Sequence, residues 1–482
     1  MVNQKKAPLF EGLKKHWEAN PVSGHVPGHK YGQVFPEIGY SYFQEILKLD
    51  ATEISGLDDL HDPEGMIDEA QRLAANYYGA EATFFLVNGS TVGNLAMILA
   101  ACQRGSKVLV QRNCHKSILH GVELAGADPI FLSCETDSEV GVATHFSLKE
   151  LREALDSVSG IEAVVLTNPN YYGHSYEMKE IIDLVHRYNV PVLVDEAHGA
   201  HFTVGEGFPN SALDCGADVV VHSAHKTLPA MTMGSYLHIN GERVKKEKLA
   251  YYLKMLQSSS PSYPIMASLD LARYYLASFD KQAIQELLHD MEDLQLQIGK
   301  MPEIRVVVPK NKLLQKDPLK LVLRSTQGIS GFSLQKLLEK EGIFVELADA
   351  KNVLLVLPLA INDRKQELLE KLTRAVLHQH EKTPEVEIVK LPTPPNGLGQ
   401  LAIPLGEQEN YKAVKCHLEE AVGKVAAESI IPYPPGIPVV LKGERVTASI
   451  VEYLKQLVEL GARFQGNEQL YKGYMNIYKE KE

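Results

Sequence analysis

Short apolar runs punctuate the first half of the chain, at residues 83–87, 107–110, 129–132, 163–167, 190–195 and 218–222, with amphipathic helical patterns between most of them. Within these runs apolar residues follow one another instead of alternating with polar ones. A strand of that kind is covered on both faces, which in turn calls for a parallel sheet with helices above and below. The expected fold class is therefore α/β, with a doubly wound, mostly parallel sheet. A long helical stretch is expected over 270–299. Beyond it, strands near Ile304, Leu319 and Val353 interleave with helices near Phe332 and Asp363, the pattern of a smaller α+β unit. The proline-rich, polar stretch 382–399 reads as a linker, and the prolines of "YPPGIP" (433–438) demand an extended loop. The expected division is an entry arm over 1–60, a large α/β domain over 61–300, a small α+β domain over 301–381 and a C-terminal domain over 382–482.

Composition narrows what such a chain can do. Its 482 residues exceed the size at which one hydrophobic core stops growing, so more than one domain is expected. Acidic residues outnumber basic ones by 61 to 49, and a net charge of −12 disfavours nucleic acid and suits a cationic small molecule. Five scattered cysteines without a Cys-x-x-Cys pair fit free thiols in a reducing cytoplasm. No apolar run approaches the roughly 20 residues of a spanning helix, and the N-terminus lacks the apolar core of a signal peptide, so no membrane association is expected.

Ligands of open parallel sheets bind at the carboxyl ends of the strands, and four runs end in reactive side chains. The first leads into Asn88-Gly89-Ser90-Thr91, where a tight turn, free helix N–H groups and two hydroxyls suit a phosphate, or simply cap a helix. The second leads to His115, which either bonds locally or lays its ring on a flat ligand. The third ends at Asp195, a carboxylate that needs a partner if buried: a protonated heterocycle, or an Arg or Lys elsewhere in the chain. His198 and His201 beside it raise a metal site, which their loop spacing does not support; no metal is expected. The fourth ends at Ser223, His225 and Lys226, 31 positions after Asp195 and so about one strand-helix-strand unit away. A lysine desolvated at such a strand end keeps part of its amine unprotonated and can condense with an aldehyde. Phosphate turn, buried acid and free amine together match pyridoxal 5′-phosphate.

The blocks "VPGHK", "GLDDLHDPEG", "LVNGSTVGN", "QRNCHKS", "TNPNYYGH", "VDEAHGAHF", "SAHKTLPAMTMGS", "LQSSSPSYPIMASLD" and "YPPGIP" appear in the order seen in the Orn/Lys/Arg decarboxylase family. Nearly the whole chain resembles the short bacterial form of that family. The resemblance implies an aspartate-aminotransferase-like sheet (fold type I of the pyridoxal-phosphate enzymes), followed by smaller α+β domains. It implies that Lys226 bonds the cofactor, that Asp195 pairs with its ring nitrogen and that His115 stacks on the ring. Gly89, Ser90 and Thr91 would hold the phosphate, joined by Ser223 and His225. Ala197 would lie under the ring with His198 close by, and Lys226 or His225 would return a proton to the substrate.

Ser259 and Ser260, in the Ser258 to Ser260 segment, would reach the phosphate of a neighbouring subunit, implying a homodimer or larger homo-oligomer with active sites at the interface. The expected reaction is decarboxylation of arginine, lysine or ornithine, with arginine or lysine preferred, feeding polyamine or diamine synthesis. Asp58, Asp59, Glu53 and Tyr171 are the candidates for holding the substrate's cationic tail. Nothing before Pro21 is long enough for the extra N-terminal domain of the longer relatives. The rival readings are an aminotransferase or lyase on the same fold, with Arg324 as the candidate for a substrate carboxylate, and a non-catalytic pyridoxal-phosphate protein.

Overall fold

The computed structural model describes residues 3–377, 398–433 and 436–479. The strands that carry the core are β1 (Ala82–Leu86), β2 (Lys107–Gln111), β3 (Asp128–Leu132), β4 (Ile161–Thr167), β5 (His174–Tyr176), β6 (Val192–Asp195), β7 (Val219–His222) and β8 (Ser235–Ile239). All but β5 join one eight-stranded sheet in the order β1-β8-β7-β6-β4-β2-β3, completed at its far edge by a strand over Leu398–Gln400. The neighbours from β7 through β3 pair in parallel, whereas β8 runs antiparallel to both β7 and β1. Within a strand, successive residues feed opposite cores. On β7, Val219 and Val221 pack with the helices Gly89–Ala101, Lys116–Ala125 and Lys246–Leu256, while Val220 faces the larger cluster on the other side. That two-sided burial is why these strands read as continuous apolar runs.

Two expectations need correction. The helical stretch 270–299 is two helices, Tyr263–Leu276 and Lys281–Ile298, because Asp280 turns extended and its side chain caps the second through the Ala283 amide at 2.9 Å. Of the expected linker, residues 382–397 lie outside the described residues, but Leu398–Gln400 is a strand pairing antiparallel with β3. A buried polar chain also crosses the sheet at its antiparallel end. Glu196 bonds His222 at 2.7 Å, His222 bonds His238 at 3.0 Å and His238 bonds Thr83 at 2.8 Å, linking the ends of β6, β7, β8 and β1.

The smaller sheet comprises β9 (Ile304–Val306), β11 (Lys320–Ser325), β12 (Leu347–Ala348) and β13 (Asn352–Val356), all antiparallel, while β10 (Leu314–Lys316) pairs with β5. Helices Gly331–Lys340 and Lys365–Leu377 accompany it. Counting the edge strand as β14, the last pair is β15 (Ala413–His417) with β16 (Tyr474–Tyr478), which share a separate core with helix Ala448–Glu459. Among the described residues no helix is long and apolar enough to cross a membrane.

Helix Gly89–Ala101 reaches the sheet closely because Gly93 has no side chain. A Cβ there would meet Leu86 Cδ1 at 2.8 Å and Val221 Cγ1 at 3.0 Å. Gly93→Val is therefore expected to overpack this contact and lower stability by about 1–3 kcal/mol, read as a reduced urea midpoint at unchanged slope.

Candidate functional site

The carboxyl ends of β1, β2, β6 and β7 converge, as parallel alignment requires, and bring the chemistry-bearing residues to one edge of the sheet. Asp195 is the last residue of β6 and only 4% exposed. Its Oδ2 accepts from Asn94 Nδ2 at 2.9 Å and its Oδ1 from the Ala197 amide at 3.1 Å. Both donors are neutral, and among the described residues no Lys, Arg or His forms an ion pair with it. A buried carboxylate so held has its geometry fixed but its charge unmatched, which suits a protonated ring nitrogen.

Asn94 also donates to Ser117 Oγ at 2.9 Å, and that hydroxyl bonds His115 Nδ1 at 2.8 Å. His115 caps helix Lys116–Ala125 through the Ser117 amide. Burial pushes the His115 imidazole down to about 4, against the upward pull of Asp195 and with a further downward push from Lys226, so the ring is neutral. Gly436, at φ +86, sits over the ring edge: a Cβ there would lie 3.3 Å from His115 Cδ2. A loop of the C-terminal unit thus forms part of the wall.

The turn after β1, expected to hold a phosphate, differs from that expectation in one respect. Gly89 adopts φ +77, a conformation that favours glycine, but its amide donates to the Met233 carbonyl at 2.9 Å. The correction is that Gly89 shapes the turn without offering its own N–H. Ser90 and Thr91 follow in the first helical turn, where amides have no intrahelical acceptor. Ser223 Oγ donates to Ser90 Oγ at 2.7 Å, joining the turns after β1 and β7. His225 Nδ1 bonds the Gly234 carbonyl at 3.0 Å, so the proton sits on Nδ1, and burial lowers its basicity.

Lys226 lies in the short helix after β7, half-buried. Burial lowers its pKa, while Asp195 and Glu346 pull it back up. The amine is 3.0 Å from His198 Nε2 and 5.2 Å from the centre of the Tyr171 ring, which itself lies 4.5 Å from that of His198. A cavity of about 260 Å³ opens here, lined by His198, His225, Lys226, Lys320, Glu346 and Val356. Three of these, Lys320, Glu346 and Val356, come from the small unit and escaped the sequence reading. Lys320 lies in an apolar strand pattern, "LKLVL", and only the fold brings it to the cavity. Asn94 was the more legible omission, an amide inside the apolar helix "GNLAMILAA" and 1% exposed.

Several candidates lie elsewhere. Asp58 accepts from the amides of Asp59, Glu64, Gly65, Ile67 and Asp68, so this carboxylate holds a turn and the start of helix Met66–Tyr78; its reading as a substrate acceptor is corrected. Asp59 accepts from the His61 amide, and Glu53 from the Thr52 hydroxyl. Ser259 and Ser260 are on an exposed loop that does not line the cavity. Arg324 is engaged with the Glu139 and Val140 carbonyls and the Asn352 side chain, which removes it as the carboxylate clamp of an aminotransferase. His201 turns away to Asp317 at 3.0 Å, and no group of three or more metal-ligating side chains is assembled among the described residues.

Residues 7–316 match the major domain of the Orn/Lys/Arg decarboxylases, and residues 407–482 match the C-terminal domain of the same family. The uncharacterised protein YaaO of Bacillus subtilis (strain 168) is 48% identical over 98% of this chain and 99% of its own length. An arginine decarboxylase of the same organism is 34% identical, with 99% of each chain covered. The constitutive lysine decarboxylase of E. coli superposes with a TM-score of 0.77 at 20% identity, over 98% of this chain and 82% of that one, and so shares the fold. A match to the family over more than half the chain, on a fold type I sheet whose strand ends carry an amine and an unpaired buried acid, places this chain in the Orn/Lys/Arg decarboxylase family, pyridoxal-phosphate-dependent enzymes that release CO2 from basic amino acids.

Proposed function

We propose that this enzyme decarboxylates arginine or lysine, arginine first, to the corresponding amine, at a site built on Lys226 and Asp195. The observation that carries the assignment is a desolvated amine near a buried carboxylate whose donors among the described residues are neutral. Preference for arginine rests on the full-length similarity to a Bacillus arginine decarboxylase. The amines so formed are di- or polyamine precursors.

Bound pyridoxal 5′-phosphate supplies an electron sink for the pair released when the Cα–carboxylate bond breaks. Lys226 would bond the cofactor aldehyde through Nζ. Asp195 would hold a proton on the ring nitrogen, and each pKa unit of that preference is worth about 1.4 kcal/mol. Asn94 and the Ala197 amide keep the carboxylate aimed. His115, neutral and fixed by Ser117, gives the ring an uncharged flat wall. The amides of Ser90 and Thr91, with the Ser90 hydroxyl that the bond from Ser223 leaves free to donate, would hold phosphate at the positive end of their helix. His225 contributes the unprotonated Nε2 left by its Nδ1 bond. After CO2 leaves, Lys226 Nζ would return a proton to Cα, or His225 would do so once its Nε2 has taken one up. Glu346, an exposed carboxylate on the cavity wall, is a better acceptor for the cationic tail than Asp58 or Asp59, with Tyr171 alongside. Ser259 and Ser260, exposed on their loop, are offered to the phosphate of a partner subunit in a homodimer.

Incubation with arginine, lysine and ornithine, with CO2 and organic products identified by mass, tests the reading: the amine from arginine is expected to dominate, and a keto acid in its place would make the enzyme an aminotransferase. Lys226→Ala is expected to abolish fixation of the cofactor by borohydride, seen as loss of the mass increment on the Lys226 peptide. Asp195→Ala should take turnover to near background while cofactor binding persists, and full turnover would remove Asp195 from its role. Asn94→Ala takes one hydrogen bond from a charged group, worth about 1.5–3 kcal/mol, so cofactor affinity measured by equilibrium dialysis should weaken about tenfold or more.

A further inference from the structure

Lys320 opens strand β11 of the small sheet and has no solvent exposure. Its stem fills space that Gly173 leaves open, since a Cβ on Gly173 would fall 2.3 Å from Lys320 Cγ. The amine ends 3.0 Å from His198 Nδ1, while His198 Nε2 lies 3.0 Å from Lys226 Nζ. One imidazole therefore stands between two lysines, bonded to each.

Counting donors and lone pairs restricts the protonation of this trio. A neutral imidazole has one N–H and one lone pair, and an ammonium can only donate. The lysine facing the ring N–H must then accept, and so must be a free base. Were the ring an imidazolium, both lysines would have to be free bases. At least one of the two amines is unprotonated in every state that keeps both bonds. The surroundings agree. Burial, Lys226, Lys320, His115 and His201 hold the His198 ring well below its ordinary value. Burial and Lys226 bring Lys320 down to about 8, although Asp317 and Glu346 oppose the fall. Asp195 and Glu346 face Lys226, with His225 and Tyr171 adjacent.

We propose that Lys226, His198 and Lys320 form a proton relay in which Lys320, acting through His198, stores the proton that Lys226 gives up when it attacks an aldehyde. The Lys226 Nζ–H bond breaks as an Nε2–H bond forms on His198, while the Nδ1–H bond breaks as a new N–H forms on Lys320. The ring changes tautomer, the total charge of the trio is unchanged and no water is consumed. Reversal returns the proton to Lys226. The inference rests on Lys226 being the cofactor-bearing amine and gives Lys320 a positioning role toward it.

The test is the pH profile of pyridoxal-phosphate capture by apoenzyme, followed by stopped-flow absorbance from pH 6 to 10. Capture rises with pH as Lys226 becomes a free base. Lys320→Met removes the proton store, leaves Lys226 donating to Nε2, and should move the midpoint up by about one unit, a tenfold loss of free amine at fixed pH. Lys320→Arg is a permanent donor to Nδ1, forces the ring N–H toward Lys226, and should move the midpoint down. In a His198→Phe background the two substitutions should no longer separate. Profiles that coincide with wild type, that shift in the same direction, or that separate fully without His198 would overturn the relay. Should the variants fail to fold by circular dichroism, lysine side-chain 15N NMR of wild-type apoenzyme decides: a buried amine titrating near pH 8 supports the relay, and one that stays protonated above pH 10 defeats it. Wild-type apoenzyme that captures no aldehyde, or captures it on another lysine, would instead overturn the assignment of Lys226 itself.

Discussion

The buried carboxylate of Asp195 is the constraint around which the site is organised. An anion at the end of a central strand, 4% exposed and without a cationic partner among the described residues, is a standing cost of several kcal/mol. The protein lowers that cost with neutral donors and, among the described residues, sets no cation of its own against the charge. The same donors order the neighbourhood. Asn94 spans from Asp195 to Ser117, and Ser117 to His115, so one amide on the helix after β1 sets both the acid and the ring beyond it. Gly93, the residue before Asn94, is what lets that helix approach closely enough.

The opposite wall obeys the complementary logic. A buried lysine and a half-buried one share a histidine, and their charge is limited by the number of lone pairs the ring can offer. Asp195 and Glu346 moderate the repulsion without forming ion pairs with Lys226. Lys320, Asp317 and Glu346 come from the small unit, and His201 binds Asp317 with both side chains fully buried. Docking of the small unit against the large sheet is thus a condition for the amine cluster to exist, and the surroundings of Lys226 are set across that contact as well as by its own strand.

What was legible in the chain follows from how far each feature depends on distant contacts. Runs such as "VVVH" and "VLVD" declare two-sided burial locally, so the sheet and the residues at its strand ends could be read before any geometry was known. Strand β8 was passed over because it carries polar Ser235 and His238, whose burial is explained only by the Thr83 and His222 partners that other strands provide. Asp58 and Arg324 misled for the same reason. A carboxylate before a helix and an arginine in a late strand look available until their main-chain partners are in place. Lys320 could not be seen, since a lysine between leucines reads equally well as a solvated edge.

The C-terminal unit follows a Pro-rich stretch and has its own core, yet it is not an appendage. Arg112, just beyond β2, donates to the Pro438 and Val439 carbonyls at 2.9 and 3.2 Å and pairs with Glu444 at 2.9 Å. All three acceptors flank the loop that sets Gly436 over His115. A guanidinium that satisfies two carbonyls and a carboxylate fixes both position and orientation of the loop it holds, which an exposed ion pair alone does not do. The next charged residue, Lys116, reaches Gln465 and the Tyr433 ring from the start of the helix that His115 caps. His115 therefore sits between two anchors, with its polar edge tied to Ser117 and its far edge covered by glycine. A side chain at position 436 would press on the ring at φ +86, where L-residues are strained in any event. The wall around His115 is in this sense shared by the large α/β unit and the C-terminal unit.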